Sequence, residues 1–182
     1  MEKKDHTRLI RIALIGPESS AKSTLSERLA NHYQTVWVKE NSREYLGKIS
    51  RKYTLADIEK ITEEQIAQEN ELLKKANRIL FADTEAIISK VWCKDVFDVV
   101  PAWIQQEIES RPYDLYLLTD HDLEWIPDPV RENPHRRDFF FRWYENELKD
   151  ISANYEIIHG KGEDRVNNAI RAIEKFLASI KN

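Results

Sequence analysis

Residues Gly16, Pro17, Glu18, Ser19, Ser20, Ala21, Lys22, Ser23 and Thr24 follow directly on the apolar run Leu9-Ile10-Arg11-Ile12-Ala13-Leu14-Ile15. A buried strand, a turn and a Lys-Ser pair opening an amphipathic stretch make the layout of a P-loop, which holds the phosphates of ATP or GTP. Backbone N–H groups must converge there on one concavity, with a helix N-terminus behind them adding its positive dipole end. In such a loop Lys22 reaches the β- and γ-phosphates, and the Ser23 hydroxyl is a ligand for Mg²⁺. Ala21 stands where the usual pattern has its second glycine. The chain is entering a helix at that point, so a negative φ is expected and the methyl group is expected to fit without left-handed strain.

Carboxylates recur just after other apolar runs. Glu40 follows Thr35–Lys39, with Arg43, Glu44 and Tyr45 close behind; Asp83, Thr84 and Glu85 follow Arg78–Ala82; Asp120 and Asp122 follow Leu115–Thr119. A carboxylate at a strand end beside a phosphate loop can orient Mg²⁺ through water or take the proton from an attacking hydroxyl. Asp83 is the first choice for that work, although Asp-Thr is also a suitable helix N-cap. Glu40 is the rival base, or a ligand for a substrate hydroxyl.

The other chemical feature is the stretch Asp128–Asp138, which places Arg131, Arg136 and Arg137 in a proline-broken segment ahead of Phe139, Phe140, Phe141, Trp143 and Tyr144. Arginines on a movable cover, here about 123–140, can neutralise charge on a transferred phosphoryl group while excluding water. A solvated basic turn is the plainer alternative. The aromatics read as core, with a ring near the cleft suited to a flat ligand.

The elements that must position these residues alternate in type. Strands are predicted at 9–15, 35–39, 78–82, 115–119 and 155–158. Helices are predicted at 23–32 (Leu25, Leu29 and His32 on one face), at 55–77 with a Thr54/Asp57 capping box, through Lys90 and Trp92, from Pro101 to Ser110, at 138–149, and at the C-terminal end. In that last helix Val166, Ile170, Ile173, Leu177 and Ile180 form a core stripe. Short apolar strands separated by helices imply an α/β fold, a mostly parallel sheet with helices on both faces. Right-handed crossovers then bring every strand's carboxyl end, and the residues above, to one edge.

Composition sets bounds. At 182 residues, with 41% hydrophobic and 33% charged residues, the chain is expected to be one domain, 1–182. A net charge of −4 argues against nucleic acid as a partner. Cys93 is the one cysteine, a small core residue suited to a reducing compartment, so a cytoplasmic location is expected. Neither the start, Met1 to His6, nor any later run resembles a signal peptide or membrane span, so no membrane partner is expected. Oligomeric state is left open.

Together these residues resemble the nicotinamide-riboside kinase domain of NadR-type proteins, a branch of the P-loop nucleoside and nucleotide kinases. The similar pieces are Gly16–Leu25, Glu40 with Arg43–Tyr45, Phe81–Glu85, Ser89–Trp92, Tyr113–Asp120, and Trp125 with Asp128, Arg131, Arg136 and Arg137. The resemblance implies a three-layer P-loop NTPase fold with sheet order 2-3-1-4-5, which sets Asp83 beside the phosphate loop. It implies transfer of the ATP γ-phosphoryl group to the 5′-hydroxyl of nicotinamide riboside, a small nucleoside, giving nicotinamide mononucleotide. On that basis Lys22 and Ser23 hold phosphate and metal, Asp83 is the metal or base carboxylate, and Arg131, Arg136 and Arg137 belong to the lid. Glu40, Arg43, Trp92, Asp120, Trp125 and Asp128 are then expected on the acceptor side. Glu85 departs from the Asp expected there. Larger members fuse this domain to an adenylyltransferase and a DNA-binding helix-turn-helix; neither has a counterpart here, so those activities are not expected. Kinases of other small alcohols and a non-catalytic ATP-binding module share the phosphate-loop half of the reading.

Overall fold

A computed structural model describes residues 8–128 and 131–180. The expectations for Met1–His6 and for Pro129 lie outside the described residues. The elements, in order, are β1 (Ile10–Ile15), α1 (Lys22–His32), β2 (Trp37–Val38), α2 (Ser42–Lys48), α3 (Leu55–Leu73), β3 (Ile79–Asp83), α4 (Ala86–Phe97), α5 (Ala102–Ser110), β4 (Leu115–Thr119), α6 (Arg137–Asp150), β5 (Tyr155–Ile158) and α7 (Gly162–Ser179). The five strands form one parallel sheet in the order β2-β3-β1-β4-β5, as the resemblance implies.

The three central strands are buried on both faces, which explains why they are almost wholly apolar. Ala13, Ile15, Leu80, Ala82, Tyr116 and Leu118 face a core shared with Ile58, Val91, Ile104 and Leu148 of α3 to α6. The alternate positions Ile12, Leu14, Phe81, Leu115 and Leu117 face Leu25 and Leu29 of α1 and Val166, Ile173 and Leu177 of α7. Register pairs Leu14 with Asp83 and Ile15 with Leu118, so β1 ends between the strands that carry the acids.

Several boundaries differ from the sequence expectation, each for a local reason. β2 has two residues rather than five, because its flanks bond elsewhere: Thr35 Oγ1 donates to the Ile79 carbonyl at 2.6 Å, and the Lys39 N–H donates to Gln68 Oε1 at 2.8 Å. α2 was not anticipated; its Glu44–Lys48 pair, spaced i,i+4, is its clearest sequence signal. α3 stops at Leu73, and Arg78 takes a φ of 66° to turn the chain into β3. The Asp57 carboxylate does accept from the Thr54 N–H at 2.7 Å, completing the expected start of α3. Pro101 precedes α5 as its cap instead of sitting in its first turn. His32 is exposed and Ile180 is 50% exposed, so neither belongs to the stripe assigned to it. Cys93 is buried, and burial pushes its thiol up to about 11, an inert core residue as expected.

Candidate active site

The loop between β1 and α1 is shaped by close approach. A Cβ on Gly16 would lie 2.3 Å from Thr119 Oγ1 and 2.6 Å from the Thr119 carbonyl oxygen, so only glycine lets the end of β4 pass. Ser20 Oγ donates to the Pro17 carbonyl at 2.7 Å and lies 2.6 Å from Thr119 Oγ1. Lys22 Nζ donates to the carbonyls of Gly16 at 2.9 Å and Pro17 at 3.0 Å, which aims the ammonium across the concavity. Ala21 does not have the expected negative φ. It lies at φ 64°, ψ 26° as the cap of α1, and Ser19 is at φ 57°. Two left-handed residues turn the amides inward before the helix starts, so the strain that the missing glycine would have avoided is present.

Asp83 sits at the end of β3, 1% exposed, and its Oδ1 has no hydrogen-bond partner among the described residues. Burial, and then the neighbouring Glu40 carboxylate, push it up to about 6, against the opposing pull of Lys22 and the Ser23 hydroxyl. The N-cap alternative for Asp83 fails: α4 begins at Ala86 and its cap is Glu85, whose Oε1 accepts the Ile87 N–H at 2.9 Å. Thr84, between them, has φ 78° and a buried Oγ1 with no partner among the described residues. Backbone strain at a β-branched residue beside an orphaned carboxylate oxygen is characteristic of a functional site. A buried carboxylate oxygen and a serine hydroxyl suit a hard divalent cation such as Mg²⁺.

Lys22, Ser23 and Thr84 open on a cleft of about 1130 Å³ lined by the whole phosphate loop, Glu40, Arg43, Tyr53, Trp92, Arg131 and Arg136, whereas the buried Asp83 side chain beside them is outside the lining. Lys22 is held below its ordinary value by burial, with Glu40, Asp83 and Glu18 pulling the other way. Arg43, three residues after Glu40, lines the cleft and is paired with Asp128. Trp92 Nε1 donates to Tyr53 Oη at 3.2 Å, with the rings edge to face at 5.1 Å. Tyr53 Oη in turn donates to Glu132 at 3.2 Å.

The segment 123–136 contains no helix or strand among its described residues, and it is stitched to the phosphate loop. Ser19 Oγ accepts the Ile126 N–H at 3.0 Å, and Arg131 Nη1 donates to the Ile126 carbonyl at 2.5 Å. Arg136 makes a two-pronged pair with Asp95, at 2.5 and 2.9 Å, and lies over the rings of Phe139 and Phe140.

Other expected residues fall elsewhere. Arg137 is buried behind the loop, donating to the carbonyls of Leu123 at 2.8 Å and Ser19 at 3.4 Å, and it does not line the cleft. Trp125 and Asp128 are also outside the lining. Asp120 lies on the far flank of the phosphate loop, 2.8 Å from His159 Nδ1, in a cluster with Asp122. There Arg165 of α7, 2% exposed, donates to the Ser20 carbonyl at 3.3 Å and pairs with Asp122, tying β4, β5 and the loop together. Tyr53, Asp95 and Arg165 carry no local sequence signal; only the fold assembles them.

The family model described as AAA domain, AAA_28, matches residues 11–165. The trifunctional NAD biosynthesis/regulator protein NadR of Salmonella typhimurium is 28% identical over 169 residues, 90% of this chain and 41% of that protein. The chain therefore spans about two-fifths of the length of the curated relatives it matches. A crystal structure of NadR protein in complex with NR superposes with a TM-score of 0.79 at 23% identity, covering 92% of this chain and 51% of that one. A second, with NAD and AMP-PNP, gives 0.77 at 22% identity, covering 92% and 49%. The sheet order, the phosphate loop and the match across 11–165 make this chain a member of the AAA_28 family of AAA domains, a P-loop fold similar to part of NadR.

Proposed function

We propose that this chain, as one domain over 1–182, is an ATP-dependent kinase that phosphorylates the 5′-hydroxyl of nicotinamide riboside. The observation that carries the reading is the meeting of Lys22, Ser23, Asp83 and Glu40 at the head of β1, under a cover bearing Arg131 and Arg136. A cation for the phosphates, a carboxylate and hydroxyl for a metal, and a second acid facing the acceptor side are the parts that phosphoryl transfer requires. The relatives support the choice of substrates: one is named for NAD biosynthesis, and NadR structures hold NR and AMP-PNP.

In this reading the acceptor hydroxyl loses its proton to Asp83 or Glu40 as its oxygen attacks the γ-phosphorus. The bond from that phosphorus to the β,γ-bridging oxygen breaks, and ADP leaves with the electron pair. Lys22 and the cover arginines Arg131 and Arg136 meet the charge on the transferring group, while Arg137 holds the loop in shape from behind. Asp83 and Ser23 would hold Mg²⁺, which when bound neutralises phosphate charge. The cover, about 123–140, keeps water from the γ-phosphate. No helix among the described residues is long and apolar enough to cross a membrane, and the reading places the chain in the cytoplasm.

Purified protein with Mg·ATP and a panel of nucleosides tests this, with phosphorylated products identified by mass spectrometry. Turnover is expected on nicotinamide riboside above the other acceptors. Turnover on another nucleoside alone removes the substrate assignment, and nucleotide binding without transfer to any acceptor removes the kinase reading.

A further inference from the structure

The two candidate acids stand at the ends of neighbouring strands whose ladder is only two pairs long, Trp37 with Phe81 and Val38 with Ala82. Past Val38 the ladder ends, and the backbone of Glu40 is held to β3 by a hydrogen bond to the Asp83 carboxylate rather than by a further strand pair. The Asn41 N–H, one residue beyond Glu40, donates to Gln65 Oε1 at 3.3 Å. The same carboxamide donates through Nε2 to the carbonyl oxygen of Asp83 at 3.1 Å, with the Thr84 carbonyl at 3.5 Å. Gln65 projects from the buried face of α3 and is 7% exposed.

One side chain thus accepts from the exit of β2 and donates to the exit of β3, as the next rung of a ladder would. A carboxamide is suited to this because it carries both a donor and an acceptor on one plane; a carboxylate only accepts, and a thioether does neither usefully. The N–H on one side and the carbonyls on the other leave a single orientation for the amide.

We propose that Gln65 is a positioning residue that fixes the separation of Glu40 and Asp83 by bridging the two strand exits. The proposal rests on the kinase reading for its catalytic consequence, although the bridge itself can be measured without turnover. A loop that frees Glu40 by an ångström would misplace the acceptor hydroxyl while leaving the phosphate loop intact.

Gln65→Met keeps the side-chain length and removes both bonds. Its kcat should fall roughly tenfold to a hundredfold, with the KM for ATP within about twofold of wild type. In amide hydrogen exchange read by NMR, the Asn41 N–H should lose protection while the Lys39 N–H, held by Gln68, keeps it. A folded Gln65→Met protein with wild-type kcat, or with unchanged exchange at Asn41, overturns the proposal. Should that variant fail to fold, Gln65→Glu decides. It keeps the acceptor for Asn41 but lacks the donor for Asp83, so slow exchange at Asn41 with lowered kcat is expected, and wild-type kcat overturns the role. A wild-type protein that transfers to no acceptor defeats the kinase reading instead, and Asn41 exchange still decides whether Gln65 forms the bridge.

Discussion

The carboxylate of Glu18, in the phosphate loop, accepts the backbone N–H of Asn133 at 3.0 Å, and its other oxygen accepts the Glu132 N–H at 3.3 Å. Together with the Ser19 and Arg137 contacts, this makes the loop and the 123–136 segment one mechanical unit. In the proposed kinase, ordering the loop on a triphosphate would therefore favour a closed cover, and closing the cover would favour the ordered loop.

Glu18→Ala should uncouple the two. Hydrogen bonds to a charged acceptor contribute about 1.5–3 kcal/mol, so losing the pair should lower transfer by roughly tenfold or more. The more telling change is in partition: ADP formed without phosphorylated acceptor should rise as a share of all ADP, because water reaches the γ-phosphate. Parallel assays of ADP and phosphorylated product measure that share, and an unchanged ratio would show that Glu18 does not hold the cover.

How much of this was legible before folding depends on what each feature answers to. β4 is found at the residues expected, because a buried parallel strand is a continuous apolar run with a polar residue at its exit; β5, a half-buried edge strand containing Glu156, is found where its short β-rich run Tyr155–Ile158 meets Gly160. Asp83 was legible for the same reason. β2 was not, since its flanks are captured by Ile79 and Gln68, partners 29 or more positions away that no local pattern announces. The three arginines near 131–137 look alike in sequence, yet Arg131 and Arg136 line the cleft and Arg137 is buried behind the loop, because α6 begins at that residue and turns its side chain inward. Asp120 ends a strand as Asp83 does, but β4 lies on the other side of β1, so it meets His159 and the far flank.

Ala21 offers a stability test. A left-handed alanine costs roughly 1–2 kcal/mol, while glycine's extra freedom in the unfolded chain takes back about 0.4–1 kcal/mol. Ala21→Gly should therefore raise stability by about 0.5–1 kcal/mol, and glycine is also the better cap at the start of α1. Urea denaturation would show a higher midpoint at unchanged slope. A lower midpoint would mean that position 21 does not adopt the left-handed conformation.

Glu85 offers a test in pH. Burial, reinforced by Glu69, pushes its carboxyl up from 4.5 to about 8, even though the Ile87 N–H and Arg11 pull it down. Between those values the folded chain binds the proton and the unfolded chain releases it, so folding stability falls as pH rises through the window. The slope contributed is at most about 1.4 kcal/mol per pH unit. Glu85→Gln keeps an oxygen for the Ile87 N–H and removes the titration. Its stability relative to wild type should be near parity at pH 4.5 and grow steadily to pH 8, measured by urea midpoints across that range. A difference independent of pH would show that Glu85 is already ionised in the folded protein.

The choice of general base can be settled by a pair of variants. Asp83 is the more buried acid and is pushed up to about 6, whereas Glu40 lies on the cleft wall and is engaged by the Ser42 hydroxyl at 2.5 Å. If Asp83 takes the proton, Asp83→Asn should lower kcat by roughly 10²–10⁴, and Glu40→Gln should act mainly on the acceptor KM. The base must be unprotonated, so wild-type kcat/KM should decline on the acid side, by about tenfold per pH unit below 6. Removing the Glu40 charge also removes the repulsion that raises Asp83, so in Glu40→Gln the acid limb should move to lower pH. Those effects reverse if Glu40 is the base: Glu40→Gln then carries the large loss in kcat, and no acid limb attributable to Asp83 shifts. Full pH–rate profiles of the wild type and both variants, at saturating ATP, distinguish the two assignments.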